Sequence, residues 1–233
     1  MSPQSETAAP SPLETWPPQW SPSAVVLDCD GLLVDTEARW LALQEDYLSR
    51  HGAGLDPVAR RALTGRPIEV VVAALAEAVG KDPHLAGAEL LAEHEERMGG
   101  PLEPLPGVVD TVRAIAARRP LAVASNSPRD LLEGTLEGLG LADAFDAAIS
   151  FDDVVAAKPA PDLYLAAAAL GAAPAGCLAV EDSETGAQAA LAAGMQLIAV
   201  PSIPGQEPVA PRRLDSLADP VLAEWIAGWE VRR

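Results

Sequence analysis

The stretch that best indicates the fold is residues 24–36, AVVLDCDGLLVDT. Its first four residues are apolar and β-prone, which is typical of a short strand buried on both faces. Polar residues begin directly afterwards with Asp28 and Asp30, and Gly31 favours a turn. In open α/β sheets, ligands bind at the carboxyl ends of parallel strands. An acidic loop at this position therefore predicts a functional site at one edge of a sheet.

The same strand pattern returns along the chain and alternates with helical patterns. The further apolar runs are residues 121–124, 147–149, 177–180 and 197–200. Helical stretches adjoin them at residues 108–118, 129–139, 161–170 and 184–193. This alternation predicts an α/β fold, a Rossmann-like doubly wound parallel sheet with helices on both faces.

A long helical segment separates the first strand from the second. The gap is roughly 90 residues, far more than one crossover helix needs. Most of it has helical patterns, at residues 37–50, 57–63, 67–79 and 85–98, and LEPLPG at 102–107 is typical of a linker. We therefore expect a small all-helical cap domain, residues 37–105, inserted after the first strand of a core formed by residues 23–36 and 106–233.

Residues 1–22 are rich in Pro, Ser and Thr, and this composition predicts a disordered tail whose Trp16 and Trp20 could dock on the body. A C-terminal amphipathic helix carries Trp225 and Trp229, which we expect to pack in the core.

Composition narrows the possible partners. The net charge of −18 disfavours nucleic acid and anionic membranes. Every apolar stretch is too short to span a bilayer, and the N-terminus lacks the basic-then-apolar pattern of a secretory signal. The cytoplasm is the resulting expectation for the compartment, and a monomer is the default expectation for the oligomeric state. Cys29 and Cys177 lie in apolar runs without metal or disulfide spacing, so we predict that both are core residues.

Polar clusters follow the strands or the loops that leave them. Besides residues 28–36, they are Ser125-Asn126-Ser127, Lys158-Pro159-Ala160-Pro161 and Glu181-Asp182-Ser183. Asp28 and Asp182 offer the oxygen ligands that Mg²⁺ prefers. A carboxylate such as Asp28 can attack phosphorus as a nucleophile, and a second one, Asp30, can donate and later accept a proton.

The remaining cluster residues suit the binding of phosphate. Ser125 and Asn126 offer hydrogen-bond donors, and Lys158 would neutralise developing negative charge. Ser127 followed by Pro128 predicts a helix N-cap, which would direct the positive end of that helix at the same crevice. Only Lys81 and Lys158 are lysines among the 16 basic residues.

These motifs together resemble the haloacid dehalogenase-like superfamily, and within it the phosphatases that have a small helical cap. The family pattern DxDGxxxDT matches residues 28–36, and Ser125-Asn126, KPxP at 158–161 and Glu181-Asp182 follow in the family's order. The resemblance covers about residues 24–200, where the cap matches by position and helicity. It implies a Mg²⁺-dependent phosphatase that forms a phospho-aspartate on Asp28 from a small phosphorylated metabolite, with sugar or polyol phosphates favoured.

The resemblance also implies a role for each matching residue. Asp28 would be nucleophile and metal ligand, Asp30 the general acid and base with its backbone carbonyl on the metal, and Asp182 the third protein ligand. Ser125, Asn126 and Lys158 would hold the phosphoryl group, while Asp35 and Glu181 would orient the loop and the water molecules of the metal. Gly65-Arg66, between two cap helices, could direct a guanidinium toward the substrate.

Two alternatives remain open within the same fold. β-Phosphoglucomutases of this group typically carry a His in the first cap helix, where this chain has Trp40. DTEARW, residues 35–40, looks instead like the DTE/DSE-x-x-W of sugar- and polyol-phosphate phosphatases, so hydrolysis is favoured. Trp40 would suit the apolar face of a sugar. The second alternative is a non-catalytic binding protein. Such a protein would be expected to lack part of the catalytic set, whereas every part is present here. Dehalogenases of the superfamily are excluded because they lack the second Asp of the motif, which is present here as Asp30.

Overall fold

The computed structural model describes residues 10–63, 66, 68–98, 102–169, 171, 173–202 and 206–232. Within them, one six-stranded parallel sheet has the order β3-β2-β1-β4-β5-β6. The strands are β1 (Ala24–Leu27), β2 (Leu121–Ala124), β3 (Ala147–Ile149), β4 (Cys177–Glu181), β5 (Gln196–Ala199) and β6 (Arg212–Arg213). The predicted doubly wound sheet is confirmed. Strand β6 was missed because two arginines at a sheet edge give no apolar run.

Strand β1 lies in the middle of the sheet, and its residues alternate between two cores. Leu27 pairs with Val123 of β2 on one side and with Val180 of β4 on the other. Val25 and Leu27 face one core, whereas Ala24 and Val26 face the other. The strand order reverses between β1 and β4, which places the residues after β1 at the crevice where ligands bind in such sheets.

Helices cover both faces of the sheet. Helices α5 (Val108–Ala116), α6 (Arg129–Gly138) and α9 (Pro220–Ala227) contribute to the core that contains Leu27. Helices α7 (Asp162–Ala168) and α8 (Glu184–Ala192) contribute to the opposite core, which is rich in alanine. Most of the side chains that α7 and α8 contribute to this core are alanine, and small side chains allow a helix to pack closely on a sheet.

Among the described residues, four helices follow β1 and precede α5, which leads back to the sheet: α1 (Thr36–Arg50), α2 (Pro57–Leu63), α3 (Ile68–Val79) and α4 (Pro83–Met98). We call residues 36–98 the helical insert. It has its own buried cluster, which consists of Leu43, Tyr47, Leu48, Val71, Leu75, Ala76, Ala86 and Leu90. The two chain segments that enter and leave it run side by side, because Leu105 N donates to Leu33 O over 3.0 Å and Val34 bridges Pro104.

Residues 10–22 differ from the predicted disordered tail. Leu13 is fully buried in the core that contains Leu27. The rings of Trp16 and Trp20 pack against Trp225 of α9, and Trp225 Nε1 donates to Trp20 O over 3.0 Å. The prediction of disorder was wrong here because burial of three large apolar side chains offsets the entropy cost of ordering a Pro-rich segment. Residues 1–9 lie outside the described part.

Across the described ranges, no helix combines the length and apolar character that crossing a bilayer would need.

Candidate active site

The polar clusters meet at the carboxyl edge of the sheet. Asp28 directly follows β1, Ser125 follows β2, and Glu181 ends β4 with Asp182 after it. Because these strands are parallel, their ends lie at one edge. Lys158 reaches the same edge from the loop between β3 and α7, and its side chain bonds to both Asp28 and Glu181.

Lys158 occupies the centre of the site. Its Nζ donates to Asp28 Oδ1 over 2.5 Å, to Glu181 Oε1 over 2.6 Å and to Ala124 O over 2.8 Å. All three ammonium hydrogens therefore have acceptors, and the side chain is 4% exposed. A buried ion pair is tolerated when its remaining hydrogen-bonding capacity is satisfied in this way. Burial alone lowers the pKa of Lys158, but Asp28 and Glu181 outweigh it and raise that pKa, so the ammonium stays charged.

Asp28 lies in a strongly negative environment. Burial raises the pKa of Asp28, Glu181 and Asp30 raise it as well, and Lys158 lowers it; together they bring this pKa to about 8. Lys158 supplies less positive charge than the negative charge of the four surrounding carboxyl groups, which belong to Asp28, Asp30, Glu181 and Asp182. Such a cluster favours a divalent cation, which in turn favours the ionised form of a neighbouring carboxylate.

Carboxylate oxygens of Asp28, Glu181 and Asp182 lie within 4.8 Å of one another, and all three residues are buried. Hard oxygen donors at this spacing suit Mg²⁺ or a similar hard cation. The predicted ligand set was Asp28, Asp30 and Asp182, in which Asp30 contributes its backbone carbonyl. The carboxylate cluster thus includes Glu181, for which the family resemblance predicts an orienting role.

The carboxylate of Asp30 is held by two serines. Its Oδ2 accepts from Ser125 Oγ over 2.9 Å and from Ser127 Oγ over 2.7 Å. Ser127 was predicted to cap α6, and this prediction was wrong: α6 begins at Arg129 after Pro128, which makes no side-chain cap bond. The hydroxyl of Ser127 instead orients Asp30, a contact that sequence spacing alone does not reveal.

Asn126 anchors the backbone that carries Lys158. Its Oδ1 accepts from Lys158 N over 2.9 Å, and its Nδ2 donates to Lys158 O over 3.4 Å. The side chain thereby links the end of β2 to the lysine loop. Contact of Ser125 and Asn126 with a phosphoryl group stays a prediction.

Asp182 is held between Ser202, which was not singled out from the sequence, and Gly31, which was expected only to form a turn. Its Oδ2 accepts from Ser202 Oγ over 2.6 Å, and Gly31 passes beside it with a φ of +86°. Ser202 follows β5, so the strand-end pattern that identified the other clusters could have identified it too.

The other predicted residues lie toward the surface. Asp35 and Arg66 are exposed, and Gly65 lies outside the described residues. Trp40 of α1 is half-buried and packs edge-on against His94, with ring centroids 5.6 Å apart.

Comparison with known proteins supports the interpretation of this geometry. The family model of haloacid dehalogenase-like hydrolases matches residues 22–194. The chain belongs to this family. The fructose-1-phosphate phosphatase YqaB of Escherichia coli (strain K12) is 35% identical over 181 residues, which cover 76% of this chain and 96% of YqaB.

Two further relatives agree with this assignment. Hexitol phosphatase B of Escherichia coli (strain K12) is 35% identical over 194 residues, covering 77% of this chain and 83% of its own length. A haloacid dehalogenase family hydrolase from Deinococcus radiodurans R1, crystallised with bound phosphate and sodium, is 32% identical with a TM-score of 0.67. The alignment covers 87% of this chain and 96% of that one. The predicted superfamily and the predicted enzyme class, a phosphatase, are confirmed.

Proposed function

We propose that this chain is a Mg²⁺-dependent phosphatase that hydrolyses a small sugar or polyol phosphate through a phospho-aspartate on Asp28. The observation that carries the proposal is the position of Asp28: its Oδ1 lies 2.5 Å from Lys158 Nζ, beside the carboxylate cluster with Glu181 and Asp182. A candidate nucleophile, a fixed cation and a candidate ligand set for a hard metal ion are thus combined at one edge of the sheet.

The Mg²⁺ ion would be held by Asp28, Asp182 and the backbone carbonyl of Asp30. Glu181 would lie beside these ligands. Bound there, Mg²⁺ supplies positive charge that attracts the anionic substrate and favours the transition state. Lys158 keeps Asp28 oriented and offsets its negative charge. Because the cluster of carboxylates would otherwise repel a phosphate, this local positive charge is required for binding.

The chemistry then needs two residues of the chain. The carboxylate of Asp28 attacks phosphorus, the bond from phosphorus to the ester oxygen breaks, and Asp30 donates its proton to that oxygen. Asp30 next takes a proton from water, the water oxygen attacks phosphorus, and the bond to Asp28 breaks to release inorganic phosphate. The hydroxyls of Ser125 and Ser127 keep Asp30 in place for both proton transfers.

The substrate class rests on the relatives and on the helical insert. The names of two relatives specify fructose-1-phosphate and hexitol phosphates. We propose that residues 37–105 act as a cap, joined to the core through the paired segments at Val34 and Pro104. A cap favours small substrates over phosphoproteins, and Trp40 on α1 would face the apolar side of a sugar or polyol.

Release of inorganic phosphate from a panel of sugar, polyol and nucleotide monophosphates tests the proposal, with Mg²⁺ and again with EDTA. We expect metal-dependent turnover of sugar or polyol phosphates, its loss in Asp28→Asn, and a phosphorylated peptide containing Asp28 after acid quenching. Turnover that persists in EDTA or in Asp28→Asn would contradict the mechanism. Isomerisation of β-glucose 1-phosphate without phosphate release would favour a mutase.

A further inference from the structure

The two tyrosines and the two lysines of the chain form a pair of similar triads. In the helical insert, Tyr47 OH donates to Glu89 over 3.0 Å, and Lys81 Nζ donates to the same carboxylate over 2.7 Å. At the site, the corresponding residues are Tyr164, Glu181 and Lys158. The lysine ammonium lies over the tyrosine ring in both, at 5.8 Å in the insert and 5.0 Å at the site.

The triads differ in burial and therefore in strength. Tyr164 OH donates to Glu181 Oε1 over 2.5 Å, and that same oxygen accepts from Lys158 Nζ over 2.6 Å. Tyr164, Glu181 and Lys158 are all buried, whereas Lys81 and Glu89 have side chains that are 31% and 45% exposed. Hydrogen bonds to charged groups are stronger where water is excluded, so the hydroxyl of Tyr164 matters more than that of Tyr47.

Two further residues lie close to the Glu181 carboxylate. Ser183 Oγ lies 3.2 Å from Glu181 Oε2. On the other side, Gly186 of α8 comes so close that a Cβ there would lie 1.9 Å from Glu181 Oε1. The Glu181 carboxylate thus lies between Tyr164, Ser183 and Gly186. Lys158 donates to the same oxygen as Tyr164. Lys158 in turn divides its hydrogen bonds between Glu181 and Asp28.

We propose that Tyr164 is a positioning residue: its hydroxyl fixes the Glu181 carboxylate and thereby keeps the Lys158 ammonium shared between Glu181 and Asp28. Without that donor, Glu181 Oε1 has spare accepting capacity and attracts Lys158 more strongly. The ammonium then moves away from Asp28, whose nucleophilic carboxylate loses orientation. The catalytic part of this inference rests on the proposed phosphatase function.

The matched substitutions Tyr164→Phe and Tyr47→Phe test it, because each removes one hydroxyl that donates to a glutamate. With the preferred sugar phosphate and saturating Mg²⁺, we expect kcat of Tyr164→Phe to fall about tenfold, as loss of part of a charge-assisted hydrogen bond predicts. KM should stay within about twofold, since the hydroxyl does not contact substrate. Tyr47→Phe should keep the kcat of the unmodified enzyme.

A second readout does not depend on activity. With ¹⁵N-lysine labelling, the two lysines give two side-chain ammonium signals in an NMR spectrum. The protons of Lys158 should exchange slowly with water because all three are hydrogen-bonded in a buried site. Tyr164→Phe should shift this signal and speed its exchange about fivefold or more, whereas Tyr47→Phe should leave it unchanged.

Each outcome decides one question. An unchanged Lys158 signal in Tyr164→Phe overturns the inference, and so does an unchanged kcat in an active enzyme. If the unmodified protein releases no phosphate from any substrate, the proposed function fails, while the ammonium signal still tests the positioning role. If Tyr164→Phe does not fold, the hydroxyl proton of Tyr164 is measured in the unmodified protein with labelled tyrosine. Slow exchange supports the inference, and rapid exchange overturns it.

Discussion

Gly31 and Asp182 are so close that a Cβ on Gly31 would lie 2.1 Å from Asp182 Oδ2. This contact joins the loop after β1 to the end of β4, and so joins the candidate nucleophile to a candidate metal ligand. The same glycine has a φ of +86°, a conformation that residues with a Cβ rarely adopt. Gly31 therefore serves both the turn and the candidate metal site.

Gly31→Ala should damage the site more than the fold. The backbone strain costs about 1–2 kcal/mol of the free energy of unfolding, while the clash displaces the Asp182 carboxylate and weakens Mg²⁺ binding. Gly194→Ala is the matched control, because its φ is +81° and nothing lies within 4 Å of the added Cβ. Isothermal calorimetry with Mg²⁺ and urea denaturation separate the two effects. Equal Mg²⁺ affinity in both variants would contradict the proposed role of the contact.

Lys158→Arg should lower kcat by about a hundredfold or more while the charge is conserved. The ammonium of Lys158 fits three acceptors in a fully buried position, and a planar guanidinium has neither the size nor the geometry for them. Lys81→Arg is the control, since its pair with Glu89 is solvent-exposed. Steady-state phosphate release measures both. If Lys158→Arg kept more than about a third of the activity, charge alone would suffice at this position.

The sequence was sufficient to predict the sheet and to bring most residues of the candidate site to one edge of it, because both depend on short patterns. Apolar runs marked the strands, and polar residues directly after them marked Asp28, Ser125 and Asp182. Tyr164 gave no such signal, because it lies on an alanine-rich helix and looks like a core residue. Ser127 lies in the polar cluster after β2, but its sequence context is that of a helix cap. Their roles come from the hydroxyl direction, which depends on tertiary packing.

Asp153→Asn should destabilise the fold in a pH-dependent way. The hydrogen bond from Arg129 and those from Ser150 hold the pKa of Asp153 at about 2, below its ordinary 3.8. A lowered folded-state pKa means that the stabilisation is present above about pH 4 and is lost as the pH falls toward about 2. We expect a loss of about 1 kcal/mol at pH 7, after allowance for solvent screening of a side chain that is 30% exposed.

Urea denaturation of the Asp153→Asn variant and the unmodified protein between pH 7 and pH 3 measures this difference. The difference should shrink as the pH falls. Asp143→Asn breaks the pair with Arg113, in which the aspartate side chain is 74% exposed, and should have a smaller effect. A difference that grows toward low pH would contradict the assignment.

Trp40→Ala should change which substrates are preferred more than it changes the chemistry. Trp40 is half-buried on α1 and packs edge-on against His94, so its ring has a defined orientation. If it faces the apolar side of a sugar or polyol, its removal should raise KM for those substrates about three- to tenfold, as loss of an aromatic contact of about 1 kcal/mol predicts.

The small substrate phenyl phosphate should be affected less, because it lacks the polyol chain. His94→Ala removes the ring that Trp40 packs against but leaves the indole in place. This variant therefore separates loss of the indole's contact with substrate from loss of the indole's orientation. Equal changes in kcat/KM for every substrate in Trp40→Ala would show that the indole supports the insert and does not select the substrate.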